Sequence, residues 1–346
     1  MKATLELRQE KQVPPFGRND KASLEWARGC ATLGAVVWAG MAVLARMGIA
    51  RVGAIELLFL FAPLVIVPLG MELGRVIGGE GRLELLARRL QPFGAGMAVV
   101  AMWMAPGRTA AGFALGWFVI CALMAGGGVV EFVRAMWPDA DRSVRATRPV
   151  LVTLAVARMD LAVGGAWLVA SRLGMRPMGI QEPIGLLTAV HFHFAGFATA
   201  TIAAATLQFA GRRGDARWLR WLVWAVAGLP IVVAAGFVIS LVMKMAAALL
   251  FSVSVAGLAV AVRAWGRKAK DSTARVLLQI AAGAIFAGMV LAAAYVVADY
   301  VGSDALTIPQ MARTHGILNA VGFCLMGLLG WLVEKNSGQG SVASGQ

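Results

Sequence analysis

The sequence predicts an all-α, polytopic transmembrane helix bundle of about ten spans, with both termini in the cytoplasm. Three observations predict it. Mean hydropathy is +0.75. Charged residues make up only 14% of 346 positions, where soluble domains carry roughly 25%. Apolar runs of membrane-crossing length recur along the chain, separated by charged clusters. With 59% hydrophobic residues there are too few charges to cover a globular surface, which excludes a soluble enzyme.

Residues 1–28 are polar and of mixed charge with no early apolar region, so they read as a cytoplasmic tail and not a secretory signal. A hydrocarbon core of about 30 Å takes about 20 apolar residues per helix. Ten runs meet that need: 29–45, 52–73, 92–106, 111–130, 149–170, 183–209, 218–242, 245–264, 275–297 and 312–333. The third is short and the join between 242 and 245 is tight, which leaves eight or nine spans open as well. Pro92, Pro149, Pro183 and Pro309 stand at the beginnings of runs, where a missing N–H costs nothing. Pro63, Pro68 and Pro230 are interior and predict kinks or locally broken helices. The whole of 29–333 forms one membrane domain, and the Gly/Ser-rich residues 334–346 read as a disordered tail. A five-plus-five inverted repeat, common in transporters, leaves no visible similarity between the halves.

Orientation follows from Lys and Arg. With the N-terminus inside, the tail and the loops after spans two, four, six and eight carry 6, 4, 4, 4 and 5 basic residues, with one more in the C-terminal tail. The opposite side carries 2, 1, 2, 1 and 1, so 24 face 7, with Arg158 left inside a span. A wrong span count would mix the two sides from the error onward. The net charge of +14 is therefore a topology signal. The basic residues form no contiguous patch with interleaved aromatics, which excludes nucleic acid as a partner. Cys30, Cys121 and Cys324 are widely spaced and define neither a disulfide framework nor a metal motif.

Ionisable groups in spans cost several kcal/mol unless paired or hydrated. Those here are Glu56, Arg158, Asp160, His191, His193, Arg313 and His315, with Asn319 beside them. Helix rise of ~1.5 Å per residue puts His191 ~12 Å below Pro183, His315 ~9 Å below Pro309, Glu56 ~6 Å into span two and Asp160 ~14 Å from the outer face. Four helices thus bring polar groups to one layer in the outer half of the bilayer. His191 and His193 project about 200° apart and cannot chelate one ion together, whereas His315 and Asn319 share a face. Arg158 and Asp160 are likewise two apart and are expected to pair with other helices. A bland reading stands beside each: a membrane histidine often bonds a neighbouring carbonyl as structural glue, and Glu56 and Arg313 lie near enough to the surface to snorkel.

LLTAVHFHFAGFA, preceded by RLGMRPMGIQEPI, and MARTHGILNAVGF near the C-terminus resemble the YndJ-like family of bacterial integral membrane proteins, as do RRLQPFGAG and DLAVGGAWLVASRLG. The resemblance covers roughly residues 85–335 and implies a multi-pass membrane protein, some of whose relatives carry a transporter-like label. His191-Phe192-His193 is also similar to the His-x-His element of haem–copper oxidases, but those need more histidines than the 3 present here. At most, His315 with His191 or His193 would hold a single b-type haem.

The leading expectation is a transporter-like protein, without a resident cofactor, that binds a small solute or proton in an outer-half polar cavity. His191, His315, Asn319 and Asp160 line it, with His193, Arg158 and Glu56 in support. The alternatives are a membrane redox protein ligating b-type haem and a membrane enzyme acting on a lipid-linked substrate. The last lacks Asp-rich diphosphate motifs and a nucleophile constellation. Oligomeric state is not legible.

Overall fold

The computed structural model describes residues 18–137, 142–211 and 217–343. Among the described residues the chain forms helices and no strands, in ten rods. These are α1 (Arg18–Arg46), α2 (Ala54–Gly78), α3 (Arg82–Trp103), α4 (Arg108–Met136) and α5 (Arg142–Leu173), followed by α6 (Ile184–Gly211), α7 (Arg217–Ile239), α8 (Leu241–Gly266), α9 (Ser272–Tyr300) and α10 (308–343). Nine of them are long and apolar enough to cross a bilayer by composition alone. The exception, α3, is the short third run of the sequence, and it carries Arg82, Glu84, Arg88 and Arg89 in its first turns.

Its packing shows that α3 nevertheless traverses the bundle. Leu83 and Glu84 lie against Gly126 and Gly127 near the end of α4, while Gly94 and Met97 lie against Gly116 further back. The two helices therefore run antiparallel side by side, and 22 residues at ~1.5 Å each cover the hydrocarbon core. Ten alternating helices keep the basic residues on one side, taken below as the inner side.

Several boundaries differ from the sequence expectation for one reason: helices begin and end in polar residues beyond the apolar run. Pro92 and Pro149 consequently lie inside α3 and α5 rather than at their starts. Pro183 and Pro309 do stand at helix beginnings. Of the expected tail 1–28, residues 1–17 lie outside the described residues and the remainder is already helical. At the other end α10 continues past 333 to Ala343. Glu334 is buried and accepts the Lys270 and Asp271 N–H groups at 2.8 and 3.2 Å, and Ser337 Oγ donates to Asp271 at 3.0 Å. These polar residues dock on the α8–α9 turn, which holds the first part of the expected disordered tail in helix. The tight join after α7 is a single extended residue, Ser240, whose hydroxyl caps α8 by accepting Met243 N–H at 3.1 Å.

At the centre stand α2 and α6, with 72% and 78% of their apolar windows buried, against 22% for α1 and 28% for α7. Both are apolar or small on most sides, as suits a helix surrounded by helices, with Glu72 of α2 and His193 of α6 as buried exceptions. Both also widen into π-helical turns, at 62–66 in α2 and 192–198 in α6, and α10 does so at 312–316 and 318–325. The stretches from the three helices pack on one another. In α2 the cause is readable. Val67 N–H bonds Ala62 O, one residue further back than in an α-helix. The next donor in that register would be Pro68, which has no N–H. Pro63 O is left without a helical partner, and Gln91 Nε2 of α3 donates to it at 2.7 Å.

Close approach at this widened turn depends on one glycine of α1. A Cβ on Gly34 would overlap the Leu64 carbonyl, whereas one on Gly40, on the same helix, would meet nothing within 4 Å. Gly34→Ala is therefore expected to destabilise the protein by about 1–3 kcal/mol through overpacking, and Gly40→Ala to be neutral or slightly stabilising. Thermal unfolding of the detergent-solubilised variants checks this, and equal melting of the two would remove the α1–α2 contact as a constraint.

Candidate functional site

The expected polar layer resolves into three separate groups. The first, called the recess below, lies where α6, α9 and α10 come together, away from the basic loops. His191 Nδ1–H donates to Leu187 O at 2.7 Å, one turn back on α6. His315 Nδ1–H donates across to Gly288 O of α9 at 2.8 Å, and its Nε2 accepts from Asn319 Nδ2 at 2.9 Å. Since a carbonyl can only accept, both rings are held with the proton on Nδ1. The two imidazoles lie within electrostatic reach of each other. His191 is exposed while crowded by surrounding atoms, and His315 and Asn319 are half-buried. His191 Nε2 has no partner among the described residues, and Asn319 Oδ1 is buried without one. The recess therefore offers hydrogen-bond acceptors.

The second group lies in the seam between α5 and α6. His193 is fully buried. Its Nδ1–H donates to Ala189 O at 2.8 Å and its Nε2 accepts Trp117 Nε1–H of α4 at 2.9 Å. Phe59 of α2 meets the ring edge-on at 5.2 Å and Trp117 stacks at 5.9 Å. Every polar atom of this histidine is used, so it ties α2, α4 and α6 together. One turn inward, Asp160 is 1% exposed, and its Oδ2 has no hydrogen-bond partner. The seam closes only because glycine faces each group: a Cβ on Gly164 would sit 2.6 Å from His193 Nδ1, and one on Gly196 would sit 2.6 Å from Asp160 Oδ2.

The third group holds Arg158, which the structure removes from the outer layer. Its guanidinium turns inward, bonding Glu84 of α3 at 3.0 Å, Glu131 of α4 and Gly79 O at 3.1 Å. A guanidinium snorkels toward the charged side when its stem allows. Nearby, Glu72 of α2 is fully buried; it accepts Ser23 Oγ at 2.5 Å and Arg75 Nε at 3.0 Å. Arg88 bonds Ser23, pairs with Glu80 at 2.8 Å and lies over the Trp26 ring at 5.5 Å. Burial pushes the Glu80 carboxyl up from its usual range, against the pull of Arg88 and Arg75. Sequence reasoning missed Glu72, Glu84 and Glu131. Glu72 could have been found, since it lies inside the run 52–73. Glu131 falls one residue beyond an apolar run and Glu84 eight residues before one, and only the need of Arg158 for counter-ions pointed to them.

Glu56 is also drawn away. It accepts Gly53 N–H at 3.1 Å and so caps the start of its own helix. Arg313 is exposed. Among the described residues no three His, Cys, Asp or Glu side chains are grouped to hold a metal ion. Nor do the histidines fit a b-type haem, which needs a ring nitrogen free on each axial ligand. Both nitrogens of His193 are engaged, and His315 Nε2 is taken by Asn319.

The Arg158 cluster has a direct consequence for stability. Arg158→Leu leaves two carboxylates buried without their partner and is expected to cost about 3–5 kcal/mol. Adding Glu84→Gln and Glu131→Gln should recover most of that loss. Melting curves of the single and triple variants test this, and a triple variant no more stable than the single one would refute the charge argument.

The YndJ-like protein family matches residues 57–323. Over 245 residues the chain is 26% identical to a protein of Bacillus subtilis (strain 168) described as an uncharacterized membrane protein YndJ, a match covering 70% of this chain and 41% of that relative. The chain thus spans about two fifths of the length of the curated relative it matches. No solved structure matches it. Since the family match runs over most of the chain and takes in the recess, the α5–α6 seam and Arg158 with its two glutamates, the chain belongs to the YndJ-like family of membrane proteins.

Proposed function

We propose that the protein is a carrier of the bacterial inner membrane that binds a small polar solute in the outer-half recess between α6, α9 and α10. The observation that supports this reading is the meeting of His191, His315 and Asn319 from two helices, with acceptor atoms left unmet. A buried polar group without a partner costs free energy unless a ligand or water supplies one. Two acceptors without partners, His191 Nε2 and Asn319 Oδ1, beside His315 are poorly explained as structural glue, which would leave them paired, as His193 is.

The chemistry of the recess defines the solute class. With Nδ1–H groups committed to backbone carbonyls, His191 Nε2 presents a lone pair, and Asn319 Oδ1, turned toward Gly288 of α9, keeps another unmet. They suit a solute bearing N–H or O–H donors, such as an amine, ammonium or polyol, and they disfavour an anion. The recess sits toward the outer end of α6 and α10, its His315 and Asn319 lie within the π-helical stretches of α10, and the π-helical stretches of the two helices pack on each other. Such turns recur at functional sites because they hold a helix between two registers. A shift between registers would move the recess relative to the inner half.

Proteoliposomes offered a panel of small amines and polyols test the reading. His191→Ala and His315→Ala are each expected to lower flux of the carried solute about tenfold, the equivalent of ~1.4 kcal/mol in the barrier. Glu56→Gln, which changes only a helix cap, should leave flux unaltered. Equal flux in wild type and both histidine variants would overturn the assignment.

A further inference from the structure

Asp160 has no place in the recess and no role in holding helices together. It lies on α5 at mid-depth, 1% exposed, with Oδ2 enclosed against the α6 backbone at Gly196. No hydrogen bond or ion pair reaches its carboxyl among the described residues. The helices packed on α5 carry few groups that could serve. From α4 come Cys121, which lies 4.0 Å from His193 Nε2, and Glu131, which is bound to Arg158. From α6 comes His193, both of whose nitrogens are already bonded. From α2 come Glu72 and Arg75, paired with each other. From α7 come only Arg217 and Arg220, at its inner end. On α5 itself, Arg158 is committed to Glu84 and Glu131.

An ionised carboxylate in that position would lack water, counter-ion and donor alike, and its charge would cost many kcal/mol. The neutral acid loses much less, because it carries no net charge into hydrocarbon. We infer that Asp160 is a proton-binding site of the carrier, loaded with a proton in this conformation and exchanging it with water when the α5–α6 seam opens. The step is a simple one: the O–H bond of the acid breaks on release to water and re-forms on uptake. The glycines make the seam suited to this. Gly164 and Gly196 offer no side chain of their own to cover His193 and Asp160, which lie directly on the facing backbones, so a small separation of the backbones admits water. The π-helical stretch 192–198 includes Gly196, which places the carboxyl against the part of α6 whose register is least fixed. This inference deepens the carrier reading by naming the coupling ion, and it rests on that reading only for the meaning of the exchange.

Infrared spectroscopy of the whole protein in lipid nanodiscs, with the proton as the only probe, tests it without any solute. Wild type at neutral pH is expected to show a protonated-carboxyl C=O band that is absent from Asp160→Asn. Transfer to D2O should shift the band, which shows that the proton exchanges. Asp160→Asn replaces the neutral acid by a neutral amide of the same shape and should melt as wild type does. Asp160→Glu keeps the acid and should keep a band, which guards against a folding defect in the first variant. A band that is missing from wild type, or that survives in Asp160→Asn, overturns the inference. A band lost in Asp160→Asn but unmoved by D2O overturns it as well, since the proton would then be locked in place. Failure of the solute panel to find a carried compound would bear on the recess and not on this result.

Discussion

In hydrocarbon a polar group has no water to fall back on, and this constraint orders the whole structure. The helices satisfy their own backbones, so attention goes to the places where they do not. At the α2 turn Pro68 deprives Pro63 O of a donor, and a glutamine from α3 is buried to replace it. At the inner face Arg158 draws one carboxylate from α3 and another from α4. Each of these links ties neighbouring helices together by a demand that only particular partners meet. Apolar packing alone would not fix such pairings, because lipid tails offer every helix the same apolar surroundings.

The same constraint explains why the central helices are built from small residues. Polar links are short, so they need backbones close together. Gly34 lets α1 reach the widened turn of α2, and Gly127 lets the Glu84 carboxyl lie on the α4 backbone, where a Cβ would displace it. In α6 the Thr201 and Thr206 hydroxyls turn back to carbonyls of their own helix at 2.8 Å, so they add no unmet polarity to a buried rod. Small size and internal satisfaction together allow α6 to be surrounded on nearly all sides.

How much of this was legible in the sequence depended on whether the signal was local. The helix count and orientation were legible because each loop carries its own charge, and even α3, too polar to qualify by composition, was secured by the alternation on either side. Helix boundaries were less so, since Arg82–Leu90 and Glu334–Ser337 are helical through contacts with other segments, such as the docking of Glu334 on the α8–α9 turn. In the candidate site, counting residues from helix starts set His191 and His315 in one layer, and His315 with Asn319 on one face of α10. It gave no account of direction. Arg158 and Asp160 are neighbours on α5, yet a long guanidinium reaches the inner cluster while a short carboxyl stays where its Cβ puts it. His193 looked like His191 in the sequence and differs only in which helix faces it.

The resulting distribution of polarity is uneven across the bilayer. Toward the inner side lie charges that are paired, on Arg158, Glu72, Arg75 and Arg88. Toward the outer side lie a His191 ring nitrogen and an Asn319 amide oxygen without hydrogen-bond partners. Paired charges in low dielectric are rigid, because separating them exposes both ions at once. Neutral acceptors are not, because exchanging one donor for another costs little. The inner half is therefore the natural anchor of the bundle and the outer half its adaptable part. Asp160 and the π-helical turns of α2, α6 and α10 lie between the two, where a change of helix register would be transmitted from one half to the other.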